Sequence, residues 1–153
     1  MELQDVVLKH TQPLRIAEVS GRAPGFGFEN LNPVFARLWP RVLDHVERPG
    51  MPVAYYDDLA DDGSVVLHAG FELGDTRVVE GDGVTVVDLP VIEVASVVHH
   101  GLMEEIESAY EGLVKWIEDS GLRIDGLSRE LYLDVSEDDP RGSVTELQMP
   151  VAH

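Results

Sequence analysis

A recurrence along the chain restricts its fold more than any other feature. Gly25 and Gly101 stand 76 positions apart, Tyr55 and Tyr132 77, and Ser64 and Ser143 79, and each pair holds the same place in a repeated order of elements. Leu14 to Ala23 reads as a strand that ends in the breakers Pro24-Gly25-Phe26-Gly27. Leu31, Phe35, Leu38, Trp39, Val42 and Val46 then recur at three- and four-residue spacing, the pattern of one apolar helix face, in a helix running to about His45. Pro40 removes a backbone donor inside that segment and predicts a kink or two short helices. Pro52 to Asp57 and Ser64 to Leu73 follow as a hairpin around the polar turn Asp58 to Gly63.

The second pass has the same grammar. Val84 to Val98 is rich in β-branched residues and interrupted at Pro90, which predicts two short strands or a bent one. From Leu102 to Glu118, the residues Leu102, Ile106, Ala109, Tyr110, Leu113 and Ile117 line one helix face, and Gly121 supplies the stop. Two strands, Arg129 to Val135 and Val144 to Val151, flank the turn Glu137 to Gly142. Neither half is large enough to cover its own sheet. Side by side, the pseudo-repeats 14–73 and 90–151 predict an α+β fold: duplicated strand-helix-strand-strand modules form one antiparallel sheet with two main helices and a groove between them. At 153 residues the chain, 1–153, reads as a single domain with a core that needs neither disulfide nor metal.

Charge narrows the partners. Against 29 Asp and Glu stand 11 Lys and Arg, for a net charge of -18. Direct nucleic-acid binding and a polybasic membrane contact both depend on cationic side chains, so neither is expected, whereas a cationic partner is attracted. Hydrophobic residues make up 44% of the chain, enough for a folded body rather than a disordered acidic one. The absence of cysteine excludes thiol catalysis and thiolate metal sites. Met1 to Asp5 lack the basic start of a signal peptide, and no apolar run reaches membrane-spanning length, so the expectation is a soluble cytoplasmic protein. No cofactor and no metal are expected. His99 and His100 point to opposite faces of a strand, and His10, His45, His68 and His153 show no ligand spacing. Gly21, Gly25 and Gly27 do not make a nucleotide fingerprint, and the Asp57 to Gly63 turn lacks the final Glu of a calcium loop.

Chemistry is expected in the strand from Arg129 to Val135. Alternation sets Glu130, Tyr132 and Asp134 on one face and Leu131, Leu133 and Val135 on the other, so a carboxylate lies beside a phenol. If that face lies under the helices, Glu130 needs a hydrogen bond or a cationic guest to offset its burial. A slip of one residue would put Arg129 there instead.

The segment Leu102 to Gly121, followed by Ser128-Arg129-Glu130-Leu131-Tyr132-Leu133 and then Thr145 to Val151, resembles the GyrI-like effector-binding domains. Its most specific part is Glu-x-Tyr after a helix that ends in Trp116 to Gly121, and the strand Val94 to Gly101 before that helix fits as well. The likeness is closest from Pro90 to Val151, and the element order agrees over the whole chain. It implies two modules about a pseudo-two-fold axis and a stand-alone version without the helix-turn-helix that regulators of this kind carry. The family's pocket acid maps onto Glu130 and its aromatic companion onto Tyr132. Candidate walls are Phe35, Trp39, Tyr55, Tyr110 and Trp116, with Tyr55 set opposite Tyr132 by the repeat alignment. The implied function is binding of bulky amphipathic, cationic aromatic ligands of the multidrug type, with Glu130 as charge anchor. One alternative is a hydrolase that opens reactive cyclopropane compounds with Glu130 and Tyr132. Another is an acidic regulatory protein that covers a basic partner such as a topoisomerase.

Overall fold

The protein was analysed as a computed structural model that describes residues 6–135 and 138–153. Met1 to Asp5 and Glu137 of the expected acidic turn lie outside the described residues. The elements in chain order are β1 (Val7–His10), β2 (Leu14–Ala23), α1 (Phe28–Leu43), β3 (Pro52–Asp57), β4 (Val65–Glu72), β5 (Thr85–Leu89), β6 (Glu93–His100), α2 (Ile106–Asp119), β7 (Arg123–Ile124), β8 (Arg129–Asp134) and β9 (Val144–Ala152). The fold is α+β, and the strand pairings within each unit described below are antiparallel.

The chain divides into two compact units, Pro13–Pro90 and a second that joins residues up to Gln12 with Val91–His153. In the first, β2 pairs with β4 on one side and β5 on the other, and β3 completes the row beside β4. In the second, β6 pairs with β1 and β9, β8 lies on the far side of β9, and the short β7 also pairs with β9. Each unit's first long strand thus has an outer partner, β5 or β1, that stands in sequence just before the first long strand of the other unit. Neither β1 nor β7 is legible in the sequence pattern. Both are too short to show a period, and pairing with a neighbour defines them.

α1 packs on β2 and β4. Val34, Leu38 and Val42 are its buried residues, and they recur at intervals of four as the sequence pattern requires. The helix runs unbroken through Pro40, so the expected division into two short helices does not occur. Pro40 and Ala36, whose carbonyl loses its donor, are both exposed, so the missing bond falls on the solvent side of the helix. Val46, expected on the helix face, instead forms an isolated bridge with Val78. In the second unit, a 3₁₀ turn at Met103–Glu105 leads into α2. Its Ile106, Leu113 and Ile117 pack with Ala95 and Val97 of β6 and Leu147, Met149 and Val151 of β9. Gly121, with φ of 76°, follows the end of the helix in a backbone conformation that side chains resist. Pro90 separates β5 from β6, in line with the two-strand reading of Val84 to Val98.

Four successive residues of β2, Ile16 to Val19, are buried, so this strand is covered on both faces. Along its edge, β4 approaches closely. A methyl group added at Gly70 would stand 2.5 Å from the Ala17 carbonyl oxygen and 3.1 Å from Glu18 Cβ. Gly70→Ala should therefore force the two strands apart and cost about 1–3 kcal/mol, read as a lower urea midpoint at unchanged slope. An unaltered midpoint would mean that the strands yield without strain.

Candidate functional site

Alternation along β8 decides which side chain enters the layer beneath α2. Glu130 is the register partner of Leu147, and Leu147 of Val97, both members of the apolar cluster against α2. Glu130 therefore shares the helix-covered face, and only 4% of it is exposed. Arg129 falls on the opposite face, as the register partner of Gln148.

Three hydroxyl groups gather at this carboxylate. Tyr110 of α2 donates to Oε2 at 2.5 Å, and Tyr132, two residues along β8, donates to Oε1 at 2.5 Å. The Tyr110 hydroxyl also lies 3.1 Å from Ser128 Oγ. Its single proton goes to the carboxylate, so it accepts from the serine. The result is a directed chain from Ser128 through Tyr110 to Glu130, with Tyr132 on the second oxygen. Hydrogen bonds to a charged acceptor are about twice as strong as neutral ones, and here they replace the hydration that burial removes. Sequence reasoning had both tyrosines but missed Ser128, whose only signal is its place two residues before Glu130.

The opposite face of the same strands carries a different acid. Glu146 accepts from Lys9 at 2.8 Å, Ser96 at 3.0 Å and Gln148 at 2.7 Å. Burial alone would raise its pKa, but Lys9, Gln148 and Ser96 together hold it below the ordinary carboxylate value.

In the Pro13–Pro90 unit the expected aromatic walls separate. Phe35 and Trp39 stack with centroids 5.6 Å apart, and Trp39 lies 5.3 Å from Phe71 of β4, on the face under α1. Tyr56 shares that face, meeting Phe26 edge-on at 5.4 Å. Tyr55 faces the other way, where it stacks on His68 and donates to Glu18. The alignment of Tyr55 with Tyr132 thus fails by one residue, because Tyr132 lies on the helix-covered face of its unit and Tyr55 on the uncovered-by-helix face of its own. Trp116, on α2, is half-buried against the apolar cluster, a packing position. The structure brings together Glu130, Tyr132 and Tyr110 of the candidate residues.

Other polar groups have structural partners. His99 meets the Leu102 carbonyl at 2.9 Å, and His45 meets the Val79 carbonyl and Asp82. No set of three or more metal-ligating side chains occurs among the described residues. None of the described helices is long and apolar enough to cross a membrane.

The sequence profile of the GyrI-like small molecule binding domain matches residues 6–152. No curated protein matches the chain. Among solved structures, the EcmrR C-terminal domain superposes with a TM-score of 0.75 at 20% identity, over 99% of each chain. SAV2435 bound to tetraphenylphosphonium gives 0.64 at 15% identity, over 97% of this chain and 94% of that one. A hydrolase encoded by lin2189 from Listeria innocua gives 0.63 at 16% identity, over 97% and 92%. At these identities the likeness is one of fold.

Replacing Lys9 by Met should release Glu146 toward the ordinary carboxylate pKa. A depressed pKa contributes stability above the unfolded value and loses it as pH falls through the folded one. The melting temperature of Lys9→Met should therefore trail the wild type at neutral pH and converge with it below about pH 4. A gap that persists in acid would assign the loss to packing of the lysine stem.

Proposed function

Because the chain belongs to the GyrI-like small-molecule-binding family, we propose that it binds bulky amphipathic cations of the aromatic type at Glu130. The observation that carries this reading is a buried carboxylate held on both oxygens by phenols, under an amphipathic helix. An acid so placed is fixed in position before a guest arrives, which lowers the ordering cost of binding. A lipophilic cation with delocalised charge sheds water at less cost than an ammonium ion and gains from aromatic faces. The likeness in fold to a protein that holds tetraphenylphosphonium supports this choice of ligand class. Tyr110 and Tyr132 orient the carboxylate, and Ser128 orients Tyr110.

Calorimetric titration with tetraphenylphosphonium tests it, with triphenylphosphine oxide as the neutral aromatic comparison. Glu130→Gln should weaken the cation by roughly tenfold or more, about 1.4 kcal/mol, and change the neutral compound much less. Equal losses for both compounds would remove the charge-anchor role. Tyr110→Phe, which deletes one donor to a buried charge, should cost about 1–3 kcal/mol of folding stability and weaken the cation in step with its effect on Glu130.

The carboxylate beside a phenol and the fold shared with a Listeria innocua hydrolase favour one second reading, hydrolysis of electrophilic cyclopropanes. There Glu130 would take a proton from water as its oxygen bonds to a ring carbon, the ring C–C bond would break, and the departing carbon would receive the proton back from Glu130, with Tyr132 as a positioning group. Product formation that stops in Glu130→Gln while binding persists would establish that reading over simple binding.

A further inference from the structure

A third buried acid, Glu18 of β2, is organised differently from Glu130 and Glu146. Tyr55 donates to its Oε1, and His68 Nδ1 lies 2.5 Å from its Oε2. The other ring nitrogen, His68 Nε2, lies 3.0 Å from Asp57 Oδ1. The Tyr55 ring covers the imidazole face to face, with centroids 4.2 Å apart and an interplanar angle of 3°. We propose that His68 is a proton-operated clamp. As an imidazolium it ties Glu18, Asp57 and Tyr55 together on the face of this unit turned away from α1, and loss of its proton opens the Asp57 side.

A neutral imidazole has one N–H and one lone pair, so with a carboxylate oxygen at each nitrogen one contact would be repulsive. Only the doubly protonated ring satisfies both. Burial works to lower the His68 pKa, but its hydrogen bonds to Glu18 and Asp57 and their charges outweigh burial and raise it. The groups that face it are Glu18 from β2 and Tyr55 and Asp57 from β3. On the same face of β2, Arg22 is engaged by Asp58 and Ser64, and Glu72 lies four residues along His68's own strand.

The two ends of the clamp differ in freedom. The Glu18 side chain is 5% exposed and Asp57 is 56% exposed. Deprotonation therefore leaves Glu18 in place and lets Asp57 swing into water, uncovering the Nε2 lone pair and removing one positive charge from that face. Because the folded pKa is raised, the clamp's stabilisation is full below the unfolded histidine value, about 6.5, and is lost as pH rises through the folded value. The position of Tyr55, with its ring on His68, becomes dependent on pH by the same step.

Nitrogen-detected NMR of the His68 ring across about pH 5 to 10 tests this on the intact protein. The expected result is protonation of both nitrogens at the acid end of the series, a midpoint above the ordinary histidine value, and Tyr55 ring signals that move with the same midpoint. Asp57→Asn, at an exposed side chain, should lower the midpoint, and the melting-temperature deficit of His68→Gln should shrink as pH rises through the wild-type midpoint. A midpoint at or below the ordinary histidine value, or one that Asp57→Asn leaves unmoved, would overturn the clamp.

Discussion

The organisation of both units depends on how buried carboxylates are partnered. Glu18, Glu130 and Glu146 are each less than a tenth exposed, in strands whose neighbours are chiefly apolar. An ion removed from water is tolerated only where donors replace its hydration. The three acids meet this requirement with different donors: phenols for Glu130, an imidazole and a phenol for Glu18, and an ammonium, an amide and a hydroxyl for Glu146. The Glu18 and Glu146 clusters draw donors from neighbouring strands and so hold strand register, whereas the Glu130 cluster ties its strand to α2. A slip by one residue would exchange Glu130 for Arg129 and strand a charge in the apolar layer.

The choice of donor sets what each acid is suited to do. Salt bridges such as Lys9 to Glu146 consume the charge locally and brace β1 onto the strands beside it. The Glu18 cluster holds a proton, which makes its geometry a function of pH. At Glu130 two phenols hold both carboxylate oxygens in place, the arrangement on which the proposed binding of a lipophilic cation rests. The net charge of -18 has little part in this distinction. Most of the acids sit on exposed positions of helices and turns, where they set the sign of the surrounding field.

Much of the site was legible before the fold was known. Alternation around Glu130 and Tyr132 put the acid and the phenol on one face, and helical spacing put Tyr110 on the inward face of its helix. Pro40 misled because the rule for proline assumes that the lost hydrogen bond has no substitute, whereas here it faces solvent. Tyr55 misled because adjacent tyrosines in a strand differ in face, and an offset of 77 rather than 76 cannot settle which one matches Tyr132. The Glu18, Tyr55, His68 and Asp57 cluster had a faint signal: polar residues in the middle of otherwise apolar strands.

The α+β class, the two amphipathic helices and the acid beside a phenol could be read from the residues alone, because all of these follow from local periodicity. Only tertiary structure decided which strand pairs with which, which face each helix covers, and which donor reaches which carboxylate. Those outcomes depend on contacts between residues far apart in the chain. Glu18 and His68, fifty positions apart, meet only because β2 and β4 pair in one register.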